Sequence, residues 1–519
     1  MKNITKYLII VAGIILGFAC VKEPTMSATE IEQRSLKAWI EKYHPELLEN
    51  YQEEGGYYVE ILDRGVQDSL PITGKDAWLW VDFTARDLQG NVCETRSWEL
   101  ALQQNTYNNH THYTPVFRFS GKDSHTLLEG SYLAIFNKLK IGDEEFEARY
   151  GTRLRLYLPS TVTSSNTGGT ADGGYEGQYE LDGDKPAIVD MMVYGHITNP
   201  VAYEGNRVDS FANINGGLCT EHKAEPKEDA ESAEKSMRRR LTRADSEEGE
   251  EEVDTRPLEF YDGRWHQPID TLAQLYVNYA YSPARNTFDY NAIGVDTLMY
   301  PSENGYDKGK IYGSTTLADI DRRINEALVE RFGEGITYDE VLEADSLKTK
   351  ATAKVWYIGR FLDGYVFDTN IDEVREIVFG DVGEAGEALS FETKKPLDND
   401  YILAWNYSLP TLRLGQWATI LTVSTYAYGI SGQVGAHTST TTGDTSAIDY
   451  ANYYNYMSYM NSMYGYGYGS MYNSGYYGYN PYYYGYNYVP SNTNTTTITT
   501  TATEIPSYSP MIFQVFVEK

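Results

Sequence analysis

Residues 355–370 read VWYIGRFLDGYVFDTN, and the rest of the chain can be placed by reference to them. Val355 and Tyr357 alternate with Trp356 and Ile358, Asp363-Gly364 supplies a turn with a left-handed position, and residues 365–367 resume the β-branched and aromatic pattern. This predicts a strand, a tight turn and a second strand, closed by the polar Asp368. Three further fragments follow in a fixed order. Leu403-Ala404-Trp405 precedes Leu412-Arg413-Leu414-Gly415, with seven residues from Trp405 to Leu412; next comes Tyr426-Ala427-Tyr428-Gly429, and then Ile505-Pro506 ahead of Met511-Ile512-Phe513-Gln514-Val515.

This order of residue types resembles the FKBP family of peptidyl-prolyl isomerases, from about residue 350 to the C-terminus with one interruption. The resemblance implies an antiparallel half-barrel sheet wrapped round a short helix, with an apolar pocket for proline. Tyr357, Phe367, Phe391, Ile402, Trp405, Ile505 and Phe513 would line that pocket, with Asp368 and Tyr428 as polar groups at its rim. Trp405 would be the floor under the pyrrolidine ring, and Ile402 would offer its backbone N–H to the substrate carbonyl. Tyr401 departs from the family, which has an aliphatic there, and the spacing of Phe391 to Trp405 differs slightly. The chemistry asks little of such a site. Rotation about an X-Pro bond faces a barrier of roughly 18–20 kcal/mol because twisting abolishes amide resonance. A dry pocket favours the less polar twisted amide, so no nucleophile, metal or cofactor is implied. The same aromatics would equally serve as the core of a half-barrel kept for its fold alone.

The chain has 519 residues and a net charge of -31, too long for one core and too acidic for a nucleic-acid partner. Residues 1–20 read as a lipoprotein signal peptide: Lys2 and Lys6, a short apolar run, then Leu16-Gly17-Phe18-Ala19-Cys20. Lipidation at Cys20 would anchor the chain to a membrane of the cell envelope, the outer membrane in our reading; the plain alternative is an ordinary signal peptide with an incidental cysteine. Residues 27–54 carry a helix opened by Ser27 and Glu30, with Ile31, Leu36, Trp39, Ile40 and Tyr43 on one face and Pro45 at its end.

Residues 55–205 contain a second copy of the opening pattern. VDFTARDLQGNVCET at 81–95 aligns without a gap on 355–369, sharing Val81/Val355, Arg86/Arg360, Leu88/Leu362, Gly90/Gly364, Val92/Val366 and Thr95/Thr369. Residues 188–193 read as its last strand, like 512–517. Where the later copy has Phe367, Asp368 and Trp405, this one has Cys93, Glu94 and Tyr132, the last seven residues before Leu139, and it lacks an Ala-Tyr-Gly. It is expected to keep the fold without the activity.

Residues 206–255, rich in Glu, Asp, Lys and Ser, read as a solvated acidic linker with Arg238-Arg239-Arg240 as a protease site. Residues 256–519 form the second domain, whose first part holds an edge strand near Leu275 and a helix opened by Thr316 and closed by Gly333. Residues 436–502 interrupt it with Thr-rich flanks around a run of Tyr, Gly, Asn and Met, expected to be a disordered loop: either a recognition surface or an inert insertion. His110-Thr111-His112 places two imidazoles on one side of an expected strand, half of a metal site without a third ligand. No phosphate loop, nucleophile elbow or His-Glu-x-x-His motif occurs. The fold class expected is α+β, two half-barrels joined by a linker. The function expected is a proline isomerase acting on exported proline-containing polypeptides, and the alternative a non-catalytic surface-binding lipoprotein that uses the Tyr-rich loop.

Overall fold

The computed structural model describes residues 27–519 apart from 73–76, 122–124, 164–185, 220–260, 291–311, 341–343, 348–351, 381–384, 394–399 and 443–494, and the positions 89, 91, 106, 270, 286, 338, 339, 346 and 434. The signal peptide and Cys20 therefore lie outside the described residues, as does the Tyr-rich run. No helix among the described residues is long and apolar enough to cross a membrane.

The chain is mixed α/β, with antiparallel sheets. Its strands are β1 (Tyr51–Gln52), β2 (Tyr57–Arg64), β3 (Trp78–Asp87), β4 (Val92–Thr95), β5 (Val116–Phe119), β6 (Leu139–Ile141), β7 (Glu144–Phe146), β8 (Thr152–Leu158), β9 (Ala187–Ile197), β10 (Leu275–Asn278), β11 (Thr352–Phe361), β12 (Val366–Thr369), β13 (Leu389–Glu392), β14 (Trp417–Thr422), β15 (Ala436–Thr442), β16 (Thr495–Ala502) and β17 (Met511–Val517). The first sheet runs β1-β2-β8-β9-β3-β4 with β5 on β3; the second runs β10-β14-β17-β11-β12 with β13 on β11.

The two hairpins that align in sequence also pair alike. Thr84, Ala85 and Arg86 face Thr95, Glu94 and Val92, with a bulge between Ala85 and Arg86. Ile358, Gly359 and Arg360 face Thr369, Asp368 and Val366, with the bulge at the matching place. The central partners agree as well: Val81 faces Val193 as Val355 faces Val517, and Arg86 faces Ile188 as Arg360 faces Ile512. Identical register along both neighbours sends corresponding side chains to corresponding faces, because strand side chains alternate.

On one face of the first sheet Leu79, Val81, Phe83 and Ala85 are buried with Ala134 and Ile135 of the Glu129–Phe136 helix. The opposite face takes the Ala28–Tyr43 helix, whose Leu36 and Ile40 meet Tyr58 and Tyr157; its capping box is formed at Ser27 and Glu30. The second sheet holds the short Leu403–Ser408 helix against its inner face, while on its outer face Arg331 of the Leu317–Phe332 helix lies over Trp356. That longer helix is capped by Thr316 and ended by Gly333 at φ 76.

Four expectations need correction. Residues 206–219 are not linker: Pro200–Ile214 is a helix capped by Asn199, and its Val208, Phe211 and Ala212 are buried in the second core. Its acidic residues are engaged, Glu204 accepting the Ser424 N–H and hydroxyl, and Asp209 the Tyr276 hydroxyl. Leu218 pairs with Trp265, so the acidic segment 220–260 leaves and rejoins the second body at one place instead of joining two bodies. The flanks of the 436–502 insertion are β15 and β16, paired from Thr442↔Thr495 to Ala436↔Ala502; β-branched threonine suits a strand although it shows no apolar alternation. Finally, His110 and His112 sit in a loop. His112 Nε2 meets Asp363 Oδ2 at 2.8 Å and stacks on Tyr365, while His110 stacks on Phe379. No group of three metal-binding side chains occurs among the described residues.

Candidate functional site

On β11, Tyr357, Gly359 and Phe361 point to the inner face of the second sheet. A Cβ on Gly359 would lie 2.6 Å from the Phe367 ring, so glycine lets that ring settle over the strand. Phe367 of β12 then packs on Phe361 at 4.9 Å between centroids and edge-on to Phe513 of β17 at 6.0 Å. Trp405 rises from the Leu403–Ser408 helix to meet Tyr357 at 4.9 Å and Phe513 at 5.4 Å, both edge-to-face, the arrangement aromatic quadrupoles favour. Tyr428 stands edge-on to Phe367 at 6.0 Å. Six expected residues, Tyr357, Phe367, Asp368, Trp405, Tyr428 and Phe513, thus converge from five separate stretches of sequence.

The other three lie at the margin. Phe391 of β13 reaches Trp405 only through Tyr401, with centroids at 5.9 Å for each step, and Tyr401 donates its hydroxyl to Ser390 O. Ile402 precedes the helix in extended conformation, and its N–H has no acceptor among the described residues. Ile505 is buried and held by a two-bond bridge to Gln433 at the root of the insertion.

Two polar groups couple at one edge. The Tyr357 hydroxyl donates to Asp368 Oδ2 at 2.5 Å. Burial pushes the Asp368 carboxyl above its ordinary value, against the opposing pull of the Tyr357 hydrogen bond and the Thr369 N–H. Burial and then the Asp368 charge hold Tyr357 and Tyr428 protonated well above the usual phenol range. Both hydroxyls therefore remain donors at neutral pH. The floor itself is covered: Trp405 and Phe367 are 5% exposed and Phe513 is fully buried. Among the described residues the buried Trp405 indole N–H finds no hydrogen-bond partner. A cavity of about 250 Å³ on the outer face of the sheet, between Tyr261, Tyr281, Arg285, Gly335 and Trp417, is lined by none of the nine residues.

The first sheet reveals a counterpart that sequence spacing misassigned. Leu128 and Ile402 cap their helices with nearly the same backbone, φ -57 ψ 139 and φ -59 ψ 146. Counting from those caps, Ser131 and not Tyr132 stands where Trp405 stands. Leu139 lies eleven residues after the cap Leu128 and Leu412 ten after the cap Ile402, so counting back from the two leucines shifts the match by one place. Tyr132 instead stacks on His125 at 4.1 Å.

No family model matches this chain, and no curated protein does. Solved structures give matches to FKBP-type proteins. The three FKBP domains of wheat FKBP73 match at 10% identity over 90% of this chain and 95% of that one, with a TM-score of 0.18. FkpA from Escherichia coli matches at 10% identity over 38% of this chain and 72% of that one, with a TM-score of 0.20. AtFKBP13 matches at 12% identity over 28% of this chain and 96% of that one, with a TM-score of 0.19. At such scores these matches carry no argument about mechanism, and the functional reading stands on the residues themselves.

Proposed function

We propose that residues 199–519 carry an FKBP-like domain that binds proline-containing polypeptides and speeds their cis–trans isomerisation, and that residues 55–197 are a degenerate copy without that activity. The observation that supports this best is the convergence of Tyr357, Phe367, Trp405, Phe513 and the Asp368–Tyr428 edge at one end of the inner face. An apolar floor with hydroxyl donors beside it suits a twisted X-Pro amide, which sheds amide resonance and presents a carbonyl to be held. The Ile402 N–H, which has no acceptor among the described residues, and the protonated Tyr428 are the donors for that carbonyl. With the Cys20 lipid anchor, the clients would be exported or surface proteins of the envelope.

The 5% exposure of Trp405 and Phe367 favours a second reading, in which the domain binds a partner through its rim and insertion and does not turn over proline. Proline-limited refolding of a reporter protein separates the two. The uncatalysed step takes roughly tens to hundreds of seconds, so a modest catalyst is visible. The isomerase reading expects the full chain to accelerate it and Asp368→Ala to slow that acceleration. No acceleration, with proline peptides still bound, leaves the binding protein; neither property removes both.

A further inference from the structure

The matching registers allow the aromatic site to be read position by position in the first sheet. Tyr357 becomes Phe83, Phe513 becomes Val189, Trp405 becomes Ser131, and Asp368 becomes Glu94, which faces Ala85 as Asp368 faces Gly359. Phe391, opposite Ala353, becomes Arg118, opposite Leu79. An aromatic floor has thus become a charged one. Arg118 is 4% exposed, and Arg96 lies beside it, also buried, with its guanidinium 5.6 Å from the Phe83 ring.

Two desolvated guanidinium groups demand carboxylates. Glu94 supplies one, 3.9 Å from Arg96. The other comes from the far end of the sequence: Glu504 lies 3.1 Å from Arg96 and 3.8 Å from Arg118. Beside it Tyr508 stands edge-on to Trp78 at 4.9 Å. Glu504 lies two residues past the end of β16 and immediately before Ile505, which the bridge to Gln433 ties to the other root of the insertion.

We propose that the altered pocket of the first copy is a carboxylate socket, that its ligand is Glu504 of the same chain, and that this grip fixes the root of the insertion and Ile505 at the margin of the second site. The first copy then acts as a positioning domain: Arg96 and Arg118 touch no peptide, but hold the segment beside which one would bind. Only the consequence for peptide binding rests on the function proposed above; the grip does not.

Amide hydrogen exchange in the full chain tests it. Glu504→Gln removes the charge and keeps the shape. Exchange at the Gln433 and Ile505 amides, which bond each other's carbonyls at 2.8 Å, should rise about tenfold or more, since losing the carboxylate leaves the buried Arg96 and Arg118 guanidinium groups short of an anionic partner. The amides of β17 between Ile512 and Val515 should not change. Arg118→Gln, which leaves the 3.1 Å contact to Arg96, should give a smaller rise at the same two amides and carries the test if Glu504→Gln does not fold. Unchanged exchange at Gln433 and Ile505 in a folded variant overturns the socket. A proline-peptide titration is run beside it. Faster exchange with weaker peptide binding supports both parts of the proposal, faster exchange with unaltered binding overturns the link to the second site, and a native chain that binds no proline peptide overturns the function proposed above while the exchange result still judges the socket.

Discussion

The hairpins β3–β4 and β11–β12 share register and bulge, yet they surround different chemistry. In the first, Arg86 reaches across to Asp190 at 2.5 Å and stays partly exposed; in the second, Arg360 is buried, bonding Gln514 at 2.9 Å and Asp321 at 2.6 Å under Tyr290. On the inner face the contrast runs the other way, with charge in the first and rings in the second. A sheet's register is thus kept by backbone pairing and bulge placement, while each face is free to exchange polarity so long as every buried charge retains a partner.

The comparison breaks most visibly if the two halves are cut apart at the wrong place. A fragment of residues 256–519 lacks the Pro200–Ile214 helix and strips Phe211 from Trp265; it should fail to fold, whereas 199–519 should give a cooperative transition by circular dichroism. Within the second half, Phe367→Ala should cost about 3–5 kcal/mol in denaturant unfolding, because a buried ring leaves a cavity the sheet cannot close.

Asp368→Asn sharpens the contrast at a lower cost. Peptide binding should weaken by about 0.5–1.5 kcal/mol, the net worth of one hydrogen bond, as read by calorimetry. The pH dependence carries a sign as well. Because the folded carboxyl titrates above its ordinary value of 3.8, the native state holds the proton more tightly than the unfolded chain does. Stability relative to Asp368→Asn should therefore be greatest below that value, fall as pH rises through the folded pKa and level off above it. The smallest effect is expected from deleting residues 436–502 with a short join. Ala436 and Ala502 are already paired, so unfolding midpoints should hardly move; a large loss would mean that the insertion packs as core.

Much of this was legible. The gapless match of 81–95 to 355–369 gave the register of both hairpins, and Ser27 and Thr316 marked helix starts that the structure shows capped. What was missed has physical causes. Pro200 sits at the first helical turn, where proline opens a helix, and the acidic composition that follows hides Val208 and Phe211 inside an expected linker. The β15–β16 ladder is hidden because threonine at most positions leaves no alternation to read. Ser131 was missed because spacing was counted from a strand instead of from a helix cap. The partnership of Arg96 with Glu504 joins positions 408 residues apart, and nothing local announces it.

The pairing of Leu218 with Trp265 also changes what a broken chain would be. Cleavage after the arginines at 238–240 would divide the polypeptide without dividing the particle. The Pro200–Ile214 helix would stay seated in the second core, and a parallel bridge would still link the two new pieces. Such a nicked protein would run as two bands on a denaturing gel and as one species on a sizing column, so processing at this site would be a change of covalent state with no accompanying change of assembly.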